Sequence, residues 1–286
     1  MARLWYVVGA LAILAILLGS TAHTVGEPSG ATTTSAIASK VVITVNAYNI
    51  QQVAYLNKSV ASYLRSGDTI DLVNTGGSIT NITSWTNSLK TSLPNGTKYM
   101  LHVPYYQMNT TMPLLANLSN NSAKISMAAI DYEPYKNVPF NWSFSAAQGA
   151  FTDFAALAYK YGVKPFAYPT GRPLYEHALA SYGWNYSQLM KTIHHLDVQT
   201  QHPAITNSTW FAALDELINQ TKGSGQSLSE VTVQSSLNGS VPNSVSASVA
   251  VWDIQAAEKL GITHFYVWWS ISGEKDLPKV LKGIGR

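Results

Sequence analysis

Two carboxylates frame the chemistry available to this chain. Asp131 and Glu133 stand one residue apart in Ala129-Ile130-Asp131-Tyr132-Glu133-Pro134. On an extended strand, residues i and i+2 face the same side, so both acids would aim into one site. Crowding two acids raises the pKa of at least one, which leaves a proton donor beside a group that stays ionised. Cleavage of a glycosidic bond needs that pairing. The spacing also occurs on solvated loops, so its weight depends on where in the fold it falls.

The elements around the pair fix that place. From residue 40 onwards, short β-rich runs alternate with helical stretches. The strands read as Val41–Asn46, Thr69–Asn74, Tyr99–Val103, Lys124–Ile130, Lys164–Tyr168, Leu196–Thr200, Glu230–Gln234 and His264–Trp268. Several are apolar on both faces, as buried parallel strands are. Helices are expected at Gln51–Arg65, Phe144–Tyr161 and Ser244–Leu260, the last two closed by Gly162 and Gly261, with a short one from about Asp276. Eight such units are the size and rhythm of a single (β/α)8 TIM barrel, spanning 40–286. A doubly wound open sheet is disfavoured, because Tyr48-Asn49-Ile50 follows the first strand where a glycine-rich phosphate turn would stand.

In such a barrel the active site lies at the C-terminal ends of the strands. The expected ends carry Asn74, Tyr105, Asp131 with Glu133, Tyr168, Gln199 with Gln201, Gln234, and Trp268. Aromatic rings that stack on sugar faces, with amides and acids that bond hydroxyls, suit an oligo- or polysaccharide. A second-strand nucleophile is missing. Strand seven ends in Gln234, Glu230 and Asp197 sit at strand beginnings, and Glu274 and Asp276 lie past strand eight. The remaining route is substrate-assisted, with the sugar's own 2-acetamido oxygen attacking. Glu133 is then the acid and Asp131 the assisting carboxylate. No cofactor is implied. His194, His195 and His202 lack metal-ligand spacing, so no metal is expected either.

The segment Ala129–Glu133 resembles the strand-four signature of the chitinase-like family 18 glycoside hydrolases, and Ala129–Lys136 (AIDYEPYK) is similar to the Asp-aromatic-Glu stretch of hyaluronidases. Both families are substrate-assisted (β/α)8 barrels. The resemblance implies that Glu133 is the catalytic acid, Asp131 the assisting acid and Trp268 the floor of the sugar site. Tyr168 or one of the amides takes the acetamido-binding part. The fuller chitinase pattern has a further acid where this chain has Ala128, and a glycine where it has Ala129.

Composition bounds the rest. Only 12% of residues are charged, about half the usual share, and a net charge of +3 without a basic cluster excludes a nucleic-acid partner. Leu4–Leu18 is an apolar run of about 22 Å as a helix, short of the roughly 30 Å hydrocarbon core. With Gly19-Ser20-Thr21-Ala22 behind it, residues 1–22 read as a signal peptide, or as an anchor if uncleaved, which would be the only membrane contact. Residues 23–39 read as a Ser/Thr/Gly linker. Sequons at Asn57, Asn81, Asn95, Asn109, Asn117, Asn120, Asn141, Asn185, Asn207, Asn219 and Asn238 suggest a secreted or cell-surface glycoprotein. The absence of cysteine in such a chain points to an archaeal source. An inactive glycan-binding barrel and a structural surface protein are the alternatives, and sequons soon after strands three, four and seven (Asn109, Asn141, Asn238) favour the last.

Overall fold

The computed structural model describes residues 41–73, 79–115, 125–176, 181–193, 195–200, 207–227, 231–237 and 245–286. The expected signal peptide and linker lie outside the described residues. Eight parallel strands pair in chain order: β1 (Val42–Ala47), β2 (Thr69–Val73), β3 (Lys98–Pro104), β4 (Ile125–Tyr132), β5 (Lys164–Pro169), β6 (Leu196–Val198), β7 (Val231–Leu237) and β8 (His264–Trp269). The sheet closes where Val42 and Ile43 of β1 register against His264 and Phe265 of β8. The (β/α)8 architecture is therefore the observed one.

The surrounding helices are α1 (Ile50–Tyr55), α2 (Ile79–Lys90), α3 (Met108–Thr111), α4 (Phe144–Lys160), α5 (Arg172–Tyr175), α6 (Tyr186–Thr192), α7 (Asn207–Ser224), α8 (Ala247–Lys259) and α9 (Leu277–Gly283). α4 shows why they form. Ser143 caps its first turn by accepting from the Ala146 amide, and Ala147, Phe151, Phe154, Ala155 and Ala158 fall at helical spacing on the buried face. Gly162, at φ 71°, ends it. Val163 N then donates back to Ala158 O at 3.0 Å and leads into β5. α8 repeats the device, with Ser246 as cap, Gly261 at φ 95° and Ile262 N on Ala257 O.

Strand alternation divides the interior into two cores. Leu101, Val103, Ala128 and Ile130 point outward and belong, with Phe151, Phe154 and Trp210, to the large apolar layer under the helices. Burying each such aromatic contributes about 1.5–3 kcal/mol. Met100, Met127, Ala129, Tyr168 and Tyr266 form a separate, smaller cluster inside the barrel. Because 127 and 129 face inward, so does Asp131.

Four expectations change in detail, the first being that β7 runs to Leu237, past the expected end at Gln234. The strand at β4 runs on through Tyr132, so Asp131 lies within it rather than after it. β6 stops at Val198, since Thr200 N turns back onto Val198 O at 2.7 Å. The helix expected over Gln51–Arg65 changes to a π turn at Leu56–Val60 and a 3-10 turn at Ala61–Tyr63. Asp68, which no sequence pattern singles out, fastens the N-terminal end of the barrel. It accepts from Ile43 N (2.9 Å) and Arg65 N (2.7 Å) and pairs with Arg286. Among the described residues no helix is long and apolar enough to cross a membrane.

Candidate active site

The inward parity of β4 delivers Asp131 to the C-terminal end of the lumen, in register with Pro104 of β3 and Tyr168 of β5. It is 4% exposed, so its oxygens need partners. Oδ1 accepts from Gln199 Nε2 at 2.8 Å, and Oδ2 accepts from the Tyr135 hydroxyl and faces His102 Nε2 at 3.0 Å. Such donors suit an ionised carboxylate. Glu133 follows two residues on and is part-buried. Its own burial first, and then the charge of Asp131, push its pKa up to about 8, with His102 pulling the other way. A carboxyl raised in this way favours its protonated form.

Gln199 is held in place by backbone. It bridges Thr170 in parallel, and Gly171 lies so close that an added Cβ would sit 2.4 Å from the Gln199 carbonyl oxygen.

Four members of the site escaped the sequence analysis: Asp71, His102, Tyr135 and Tyr266. His102 is buried and stands between two acids, Nδ1 at 3.0 Å from Asp71 Oδ2 and Nε2 at 3.0 Å from Asp131 Oδ2. Tyr266 donates its hydroxyl to Asp71 Oδ2 at 2.6 Å. Burial lowers the His102 pKa, but the flanking carboxylates outweigh it and raise the group to about 10. The available signal was parity: Asp71 and His102 are charged residues inside otherwise apolar strands, and His102 shares the inward face with Met100.

Of the residues expected at the site, Asp131, Glu133, Tyr168, Gln199 and Trp268 come together. With His102 and Tyr266 they line a cleft of about 40 Å³. Trp268 is part-buried at one side, its ring 6.1 Å from that of His102. Tyr168 lies deeper, 2% exposed, with its hydroxyl 3.7 Å from Met100 Sδ. Tyr105 is not among the lining residues. It joins an aromatic wall with Tyr106, Tyr132, Tyr135 and Phe140 and donates to Pro139 O at 2.7 Å. Asn74 and Gln201 lie outside the described residues, as does the side chain of Gln234.

The remaining acids fall elsewhere. Asp197 is the middle residue of β6 and lines a larger hollow, about 390 Å³, at the N-terminal end of the lumen. Asp276 pairs with Lys279, and the Glu274 carbonyl accepts from Tyr55. Glu230, His194 and His202 lie outside the described residues, and His195 Nε2 meets Thr232 Oγ1 at 3.0 Å. Among the described residues no group of His and acids could hold a metal. Of the sequons, Asn81, Asn95, Asn109, Asn141 and Asn219 are exposed, Asn57 donates to Ser88 Oγ at 3.0 Å, and Asn185 caps α6. Asn117, Asn120 and Asn238 lie outside the described residues, as does the side chain of Asn207.

No family model matches this chain, and no curated protein matches it by sequence. Solved structures do match in fold. A family 18 chitinase from Cycas revoluta, in complex with allosamidin, superposes with a TM-score of 0.60 at 10% identity, over 85% of this chain and 99% of that one. The same chitinase, as a double mutant, is also known with (GlcNAc)4. The glycoside hydrolase domain of PgaB (BpsB) from Bordetella bronchiseptica gives 0.58 at 8% identity, over 84% and 98%. A family 18 chitinase from Pseudoalteromonas aurantia gives 0.53 at 14% identity, over 85% and 99%. The chain thus shares the (β/α)8 barrel fold of these structures. At these identities the likeness is one of fold, and activity must be argued from the site.

Proposed function

We propose that this protein is a secreted glycoside hydrolase that cleaves N-acetylated oligo- or polysaccharides by substrate assistance, with retention of configuration. The observation that carries the reading is the meeting of Glu133, whose burial raises its pKa, a multiply bonded Asp131 and the Trp268 ring in one cleft at the C-terminal end of the barrel. Trp268 stacks against the sugar face. Glu133 gives its proton to the glycosidic oxygen while the acetamido carbonyl oxygen attacks C1, and the C1–O bond to the leaving sugar breaks. Asp131 accepts the acetamido N–H and offsets the positive charge of the cyclic intermediate. The Glu133 carboxylate then takes a proton from water as that water opens the ring at C1. Because Glu133 must begin protonated, kcat/KM falls as pH rises through about 8. The apolar leader and the exposed sequons support export and glycosylation.

A second reading, glycan binding without turnover, is favoured by Ala128, which stands where the fuller chitinase pattern has an acid. Reducing-end release from chitin oligomers, peptidoglycan-type glycans, hyaluronan and unacetylated controls separates the two. Release confined to acetamido sugars supports the hydrolase. Retention on a glycan column without release supports the binding barrel.

A further inference from the structure

We infer that His102 is a positioning residue of this site: an imidazolium clamped between Asp71 and Asp131 that keeps Asp131 ionised beside Glu133. The inference rests on the proposed use of that acid pair, and it begins from proton counting. Both ring nitrogens lie 3.0 Å from a carboxylate oxygen. A neutral imidazole has one N–H and one lone pair, so it would turn a bare nitrogen to one of the two acids. One further proton removes the conflict. The other contacts place it on the ring rather than on a carboxyl, because Asp71 already accepts from Tyr266, and Asp131 from Tyr135 and Gln199.

Register explains how the ring fits. Ala129 is the cross-strand partner of His102 and faces inward two residues before Asp131. Its methyl group leaves the space that the imidazole fills, and the rings of Tyr168 (5.3 Å) and Trp268 (6.1 Å) bound it. Asp71 from β2, Asp131 from β4, Glu133 and Tyr135 just after it, Tyr168 from β5, Asp197 from β6 and Tyr266 from β8 are the titratable groups that act on it or on its carboxylate partners. His102 supplies the positive charge among the acids. Without it, the carboxyls of Asp71, Asp131 and Glu133 crowd one site with no positive charge among them.

The test uses the intact protein. Ring ¹⁵N NMR of the wild type from pH 5 to 9 is expected to show both His102 nitrogens protonated throughout. Titration near the ordinary imidazole value of about 6.5, with one bare nitrogen above it, would overturn the inference. In His102→Gln, which keeps a donor but no charge, both limbs of the pH profile of kcat/KM move upward by about one unit or more. Asp71→Asn removes one of the ring's two anionic partners, so it lowers the pH at which His102 loses its proton in the same NMR titration; it carries this arm if His102→Gln does not fold, and an unmoved ring would count against the clamp. A lower rate with both limbs unmoved would reduce His102 to packing. If no glycan is hydrolysed, the hydrolase reading fails by itself, and the NMR titration alone decides the clamp.

Discussion

The two ends of the barrel lumen each bury strand aspartates, and they treat them in opposite ways. At the C-terminal end, Asp131 meets Gln199, Tyr135 and His102, and Asp71 meets His102 and Tyr266. At the N-terminal end, Asp197 is 2% exposed and, like Asp71, has an Oδ1 without a partner, although Lys98, Lys164, His195 and His264 line the same hollow. Burial, and then the charges of Asp71 and Asp131, hold the Asp197 carboxyl well above the ordinary range, so it keeps its proton. The layer of Met100, Ala129, Tyr168 and Tyr266 lies between the two regions. A buried acid thus becomes a usable charge only where donors stabilise the carboxylate; elsewhere in the same lumen it stays neutral.

Breaking the charged end should cost most. Glu133→Gln removes the transferable proton with little change of shape, and kcat should fall by about 10²–10⁴. Reducing-end assays on acetamido oligomers measure this, and a smaller loss would place the acid elsewhere. Asp131→Ala leaves His102⁺ facing a void and should destabilise the fold by about 3–5 kcal/mol in urea unfolding, as loss of one buried ionic partner does. At the other end the expected effect is smaller and depends on pH. A carboxyl whose pKa is raised by folding stabilises the fold only while it keeps its proton. That contribution is full below the unfolded value of about 3.9 and is lost as pH rises towards the folded value. Wild type should therefore lose stability more steeply than Asp197→Asn above about pH 4, by about 1.4 kcal/mol per pH unit within the window. Parallel unfolding curves at every pH would mean that Asp197 ionises freely. The mildest change is Trp268→Ala, which should raise KM by up to about tenfold with kcat nearly kept, from the lost ring contact.

Much of the fold was legible because local patterns carried it. Strands apolar on both faces, and glycines such as Gly162 and Gly261 at positive φ, mark the units one by one. Asp131, Glu133, Gln199 and Trp268 were legible because strand ends are where barrels place chemistry. Asp71 and His102 were not, because they matter through neighbours distant in sequence. His102 meets Asp71 across 31 residues and Asp131 across 29, and no local periodicity records such a meeting. Tyr105 was misplaced for a related reason: a tyrosine at a strand end can turn to the wall or to the cleft, and Pro139 O decides it.

The closeness of Gly171 to Gln199 also bears on how this scaffold could be remodelled. Loops after barrel strands are usually treated as interchangeable parts, varied one at a time to change specificity. Here the connections after β5 and β6 share a backbone touch with no room for a Cβ. A library that randomises position 171 would shift Gln199 and, through it, Asp131 in nearly every member. The two loops behave as a single exchangeable cassette, to be grafted together with the glycine retained.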